Sequence, residues 1–228
     1  MFTDINGIPA VIYGSESQNV YIYVHGMMGR KEDAEEFSRV ADKNGFQVLS
    51  FDLQGHGQRK SNVSPTPFNT LPELETVHDF ARSHWENISL YAVSIGAWLS
   101  LLHFSSNPPL KTLLVSPVVN MKSLIERMMK NAGVTPEILK AKGTIPEANL
   151  SWEYYSFACE NVITHWECET KILYPEHDNI TPRFEIEEFA EKFGCDLCVV
   201  TDAEHWLHTE EELKFLRDWE RKNVSLIE

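Results

Sequence analysis

The segment Leu90-Tyr91-Ala92-Val93-Ser94-Ile95-Gly96-Ala97-Trp98 constrains the fold more than any other part of the chain. An apolar run of strand character ends in a small-x-Ser-x-small turn and passes directly into helix-like sequence. A serine on a sharp strand-to-helix turn is lifted clear of the sheet, and small residues two before and two after it let neighbouring backbone close in. The following helix aims its first amide groups at any anion that forms beside the serine. An ordinary serine at a helix N-cap reads the same way, so this segment alone leaves both interpretations open.

The surrounding pattern alternates between strands and helices. Ile8 to Tyr13 reads as a strand, pairing with Phe2 to Ile5 across a turn at Asn6-Gly7. Val20 to Val24, Phe46 to Phe51, Thr112 to Ser116, Lys171 to Tyr174 and Leu197 to Thr201 are further short apolar runs. Helical spacing predicts helices over 32–44, 72–87 (with Pro72 in a first-turn position) and 210–222. Strands that alternate with helices imply an α/β fold with a mostly parallel central sheet covered by helices on both faces. Sites of such sheets lie at the carboxyl ends of the strands.

Those strand ends carry further motifs. His25-Gly26-Met27-Met28-Gly29 follows the strand ending at Val24, and Asp52-Leu53-Gln54-Gly55-His56-Gly57 follows Phe51. Asp178 sits on the turn after Tyr174, with Pro182 four residues later. Asp202-Ala203-Glu204-His205 follows the last strand. Read together, these match H-G-x-x-G, D-x-x-G-H-G and A-x-S-x-G, the last one residue looser than the strict glycine form. The chain therefore resembles the α/β-hydrolase superfamily, of the serine esterase or lipase type with a small helical cap. The resemblance covers nearly the whole length, and Ser94, Asp178 and His205 fall in the superfamily's nucleophile–acid–base order.

That resemblance implies a single domain over residues 1–228, with a helical cap inserted over 120–169. It also implies a Ser94–His205–Asp178 triad and an oxyanion hole built from the amides of Met27 and Ile95. Serine is a poor nucleophile until a base within hydrogen-bond reach takes its proton. His205 would do so, oriented by Asp178, and the reaction would be acyl transfer to water through an acyl-serine. The expected substrate is a small-molecule carboxylic ester. Thioester, amide or peptide cleavage and acyl transfer to another alcohol use the same triad and remain open. So does a non-catalytic, ligand-binding receptor of this fold. Relatives that use an aspartate nucleophile are disfavoured, because the elbow carries serine.

The stretch between Ser116 and Lys171 is too long for a simple crossover. It holds a helical segment over 121–132, a shorter one over 135–141 and an aromatic segment from Trp152 to Phe157. Met28, Met128, Met129, Trp152, Tyr155 and Phe157 are candidate pocket residues, although for any one of them seating the excursion on the core is the favoured reading.

Other side chains have plainer readings. His25 and His56 read as loop structure, Asp52 as the residue that holds its turn, and Ser116 as structural. Asp202 is the rival acid, only three residues before the proposed base. His205-x-x-His208 lacks the remaining ligands of a metal site, so no metal and no cofactor is expected. Cys159, Cys168, Cys195 and Cys198 read as packing thiols. The net charge of −14 argues against nucleic acid as a partner. With no run long enough to span a bilayer and no basic–apolar leader at Met1, the expected location is cytoplasmic. The sequence leaves the oligomeric state open.

Overall fold

A computed structural model describes residues 1–61 and 63–225 of the chain. Residues 62 and 226–228 of the expected domain lie outside the described set. The chain opens with a hairpin, β1 (Phe2–Ile5) and β2 (Ile8–Tyr13), joined by Asn6-Gly7 with both residues at positive φ. That is the pairing a two-residue primed turn requires. There follow β3 (Asn19–Val24), a 3₁₀ turn at Lys31–Ala34, α1 (Glu35–Lys43), β4 (Gln47–Phe51) and α2 (Pro67–His84). Next come β5 (Asn87–Val93), α3 (Ile95–Phe104) and β6 (Lys111–Val115).

The long excursion then builds α4 (Met121–Asn131), α5 (Pro136–Lys142), a two-stranded ribbon of β7 (Thr144–Ile145) and β8 (Leu150–Ser151), and α6 (Trp152–Glu160). The chain returns through β9 (Glu169–His177), α7 (Arg183–Phe193), β10 (Asp196–Glu204) and α8 (Glu210–Asn223).

Eight strands form one sheet in the order β1-β2-β4-β3-β5-β6-β9-β10. β1, β2 and β4 pair antiparallel, and every pairing from β4 through β10 is parallel. The parallel strands are apolar almost throughout because both of their faces are covered. Along β3, Val20, Ile22 and Val24 join the core beneath α2, α3 and α7, whereas Tyr21 and Tyr23 join the core beneath α1 and α8. β5 divides the same way, with Leu90 and Ala92 on one side and Tyr91 on the other. Such period-2 alternation within an all-apolar run is what two buried faces require.

Three helix boundaries differ from the sequence expectation, the first being the end of α2 at His84 rather than 87, because Asn87 already opens β5. α2 begins at Pro67 rather than Pro72, because Thr66 accepts the role of N-cap and its amide donates to Asn69 Oδ1 at 2.8 Å. Pro67 then takes the first-turn position, and Pro72 sits inside the helix. The helix expected from residue 32 starts as a 3₁₀ turn and becomes α-helical only at Glu35. The excursion between β6 and β9 packs inward: Met121, Ile125, Met129, Leu139 and Tyr155 belong to the larger core. All four cysteines are free thiols, and burial pushes the Cys195 thiol up to about 11.

Candidate active site

Ser94 joins β5 to α3 at φ 51° and ψ −120°, a conformation that non-glycine residues seldom adopt. The surrounding backbone holds it there. Its amide donates to Val115 O at 3.1 Å, and its carbonyl accepts from Ala97 N and Val118 N, each at 3.1 Å. Gly96 explains the small residue after the serine: a Cβ there would lie 2.5 Å from His25 O and 2.7 Å from Val24 O. The elbow and the end of β3 are therefore in backbone contact. Ala92 stands where the strict motif has glycine, and its methyl is fully buried in the core.

β9 and β10 extend past their neighbours and bring two further side chains to the serine. Ser94 Oγ lies 2.9 Å from His205 Nε2, and His205 Nδ1 lies 2.7 Å from Asp178 Oδ2. The Asp178 side chain has no exposure, while that of His205 retains 19%. The other carboxylate oxygen, Asp178 Oδ1, accepts the amides of Ile180 (2.7 Å) and Thr181 (2.9 Å). A carboxylate held by two amides has one oxygen left for the imidazole. With Nδ1–H donated to Asp178, His205 Nε2 is free to accept from the serine hydroxyl.

Asp202 takes no part in this arrangement. It is 91% exposed at φ 57°, and its carboxylate lies 3.5 Å from His177 Nε2. His208 faces solvent, its Nδ1 bonded to Trp206 O. Glu176, His177 and Asp202 form a surface group of potential ligands that includes neither His205 nor His208. Ser116 is buried at the end of β6, its amide bonded to Leu173 O.

The loops after β3 and β4 hold each other through reciprocal histidine contacts. His25 Nε2 accepts from Leu53 N at 3.1 Å, so its proton sits on Nδ1 and is donated to Gly26 O at 2.7 Å. His56 Nε2 accepts from Met28 N at 2.9 Å, and its Nδ1–H is donated to Gln54 O at 2.8 Å. Burial lowers the His25 pKa, which favours the neutral ring these bonds require. Asp52, fully buried, accepts from Lys31 N, Lys31 Nζ and Gln58 N, fixing the base of both loops. The Met27 and Ile95 amides bond to no other group among the described residues, leaving both donors open beside Ser94.

Above the serine lies a cleft of about 1160 Å³. Val118, Met121, Leu124, Ile125 and Met128 form one wall, and Met27, Met28, Tyr154, Trp206 and Leu207 contribute elsewhere. Two of the six candidate pocket residues, Met28 and Met128, line this cleft. Met129 and Tyr155 do not: both are buried in the core, and Tyr155 donates its hydroxyl to Glu126 at 3.0 Å. Trp152 also lies outside it, under Lys140 at 5.3 Å, and Phe157 packs edge-on against Phe68 and Trp98. The wall residues the sequence reading missed, Met121, Leu124 and Ile125, share a helical face with Met128. Their i, i+3, i+4, i+7 spacing was the available signal. Among the described residues, the only carboxylate lining the cleft is Asp33, whose oxygens are already engaged by the backbone and side chain of Arg30, and no Lys or Arg lines it.

A parallel sheet flanked by helices, with a serine elbow, a histidine and an acid at its strand ends, is the α/β-hydrolase architecture. The chain belongs to the family described as serine aminopeptidase, S33, whose match spans residues 15–152. No curated protein sequence matches it. Among solved structures it is similar to Est1E from Butyrivibrio proteoclasticus with ferulic acid bound, with a TM-score of 0.74 at 17% identity over 97% of this chain and 96% of that one. It is also similar to the alpha/beta hydrolase domain-containing protein 10 from mouse, with a TM-score of 0.74 at 15% identity over 96% and 95%. A third similar structure is the monoacylglycerol lipase of Paleococcus ferrophilus, with a TM-score of 0.68 at 15% identity over 94% and 98%. At such identities these likenesses speak for the fold.

Proposed function

We propose that this protein is a serine hydrolase that cleaves small, uncharged carboxylic esters with an apolar acyl group. The observation that carries the reading is the unbroken chain from Ser94 Oγ through His205 to the buried Asp178, at the floor of an apolar cleft. In this reading His205 Nε2 takes the Ser94 proton as Oγ attacks the ester carbon. The carbonyl oxygen becomes an oxyanion received by the amides of Met27 and Ile95. Collapse expels the alcohol, which takes the proton from His205 Nε2 and leaves an acyl-serine. Water repeats the sequence, with His205 as base, and releases the carboxylic acid. Residues 120–169 act as the cap, with the apolar face of α4 receiving the acyl chain.

The composition of the cleft supports one substrate class over others that share this triad. An aminopeptidase must hold a protonated α-amino group, which calls for an available carboxylate near the serine. Asp33 is committed to Arg30, which weighs against that activity here. A cleft that no Lys or Arg among the described residues lines is equally unsuited to phosphorylated or carboxylated substrates. A neutral ester needs neither.

The test is intact-mass analysis after exposure to a fluorophosphonate, on wild type and Ser94→Ala, followed by assays with p-nitrophenyl esters and aminoacyl p-nitroanilides. One adduct on the wild type and none on the variant, with turnover of the esters, is the expected result. Equal labelling of both proteins, or turnover of the anilides alone, would overturn the reading.

A further inference from the structure

Arg127 reaches from α4 to the loop that carries Asp178. Its Nη2 donates to the carbonyl of Ile180 at 2.5 Å, and its Nη1 donates to Glu185 Oε1 at 2.7 Å and Ser123 Oγ at 2.6 Å. The Ile180 carbonyl and the Thr181 N–H belong to one planar peptide unit. The far side of that unit donates to Asp178 Oδ1 at 2.9 Å. A continuous path therefore runs from the guanidinium through one peptide to Asp178, then to His205 and Ser94.

We propose that Arg127 is a positioning residue for the hydrolytic reaction: it orients and polarises the Ile180–Thr181 peptide that holds Asp178. The proposal rests on the assignment of Ser94, His205 and Asp178 made above. Two physical effects support it. Fixing the carbonyl direction of a planar peptide fixes its N–H direction as well. A cation on the carbonyl also makes the N–H a stronger donor to the carboxylate. Asp178 Oδ1 is thereby occupied, and Oδ2 stays aimed at His205.

The same helix offers Met121, Leu124, Ile125 and Met128 to the cleft. An acyl chain bound there would touch the element that orients the acid. Two other contacts hold the loop: Tyr174 Oη donates to Thr181 O at 2.9 Å, and Thr181 Oγ1 donates to Pro117 O at 3.0 Å. Both fasten Thr181 and leave the Ile180 carbonyl to Arg127, so the loop should survive the loss of Arg127 with its peptide less firmly oriented.

Removing Arg127 alone would leave Glu185, whose side chain is 4% exposed, as a buried carboxylate held only by the Ser123 hydroxyl and without its cation. The test therefore uses the double variant Arg127→Met/Glu185→Gln together with Arg127→Lys, which keeps the charge without the fork. The readouts are the downfield proton resonance of His205 Nδ1–H and the kinetics of p-nitrophenyl butyrate hydrolysis. In the folded double variant the resonance should move upfield or broaden. Its kcat should fall about 10- to 100-fold, as sub-ångström misplacement of catalytic groups does, with KM within about threefold. Arg127→Lys should fall between the two.

A folded double variant with wild-type resonance and kcat would mean that the Tyr174 and Pro117 contacts suffice, and would overturn the proposal. A loss confined to KM would place the role of Arg127 in seating α4, and would overturn it too. If the double variant does not fold, Arg127→Lys decides, and a wild-type resonance and kcat there overturn the proposal. A wild type that lacks the resonance and cleaves no ester would refute the triad itself, an outcome separate from all of these.

Discussion

Replacing Gly96 with alanine should uncouple catalysis from stability. The new methyl would sit 2.5 Å from His25 O and 2.7 Å from Val24 O, short of ordinary contact at 3.4 Å by roughly 0.7 to 0.9 Å. Both obstacles are backbone atoms at the end of β3, so no side chain can swing aside. The start of α3 must move away from the loop that follows β3. Overpacking of this kind costs about 1–3 kcal/mol. Alanine returns up to about 1 kcal/mol of helix propensity, less in a first turn than in a helix interior. The net destabilisation is then at most about 2–3 kcal/mol, or a fall in Tm of about 4–12 °C for a chain of this length.

On the proposed mechanism, in which the Met27 and Ile95 amides receive the oxyanion, the effect on rate is larger. The two open amides belong to Met27, on the β3 side of the contact, and Ile95, on the α3 side. An oxyanion donor must lie about 2.7–3.1 Å from the developing charge, so a shift of this size takes one donor out of range, a loss on the order of a hundredfold in kcat. Steady-state hydrolysis of p-nitrophenyl butyrate and a thermal melt measure both quantities. Gly26→Ala is the milder comparison: its methyl meets Ser94 Cβ at 3.1 Å and Val93 O at 3.4 Å, so a few tenths of an ångström relieve it. A Gly96→Ala protein with wild-type kcat would refute the claim that this contact sets the spacing of the two amides.

Two further outcomes can be checked independently. His78 and His103 face each other across α2 and α3, with Nδ1 and Nε2 3.1 Å apart, and Arg82, Asp79 and Glu75 lie nearby. Burial, with His103 and Arg82 adding to it, pulls the His78 pKa down to about 4. A depressed histidine pKa favours the neutral folded form, so this stability is complete above about pH 6.5 and is lost as pH falls towards 4, by up to about 1.4 kcal/mol per pH unit. In urea titrations across that window His78→Gln should show a shallower acid slope than the wild type, and an unchanged slope would exclude His78 as its source. On α4, Met129→Ala should cost about 2–5 kcal/mol of stability with the ester chain-length profile intact. Met128→Ala should instead shift that profile towards longer acyl chains with little change in Tm, and a reversal of the two phenotypes would contradict the placement of the helix.

The parts of the fold that were legible owe it to burial on both sides. Val20 to Val24 admits no polar residue because each of its faces is covered, so the strand reads from its composition alone. Asn6-Gly7 reads as a turn because few other pairs accept two positive φ values. The ribbon of β7 and β8 was not legible, since two residues per strand carry no periodicity. The start of α2 was misplaced for a different reason. Pro67 and Pro72 both suit a first turn, and what chooses between them is the bond from Thr66 N to the Asn69 side chain.

At the candidate active site, the legible residues are those whose chemistry is tied to a local backbone shape. Ser94 needs its elbow, and the elbow leaves a signature in small neighbours. The aromatic residues of the excursion between β6 and β9 carry no such tie. Trp152, Tyr155 and Phe157 are large enough to line a cleft or to seat a helix, and the choice depends on how α6 is rotated over the core. That rotation is a long-range property. The same holds for Arg127, 51 residues before Asp178 in the chain, and for the exchange in which His25 and His56 each accept an amide from the other's loop. Individually, the two histidines read as loop structure and Arg127 offers no motif at all. Each matters through a single backbone peptide of another segment, so identity and spacing in the sequence cannot reveal the role. Motifs thus expose the atoms that would meet the substrate, and the contacts that aim those atoms appear only when the strand ends are brought together.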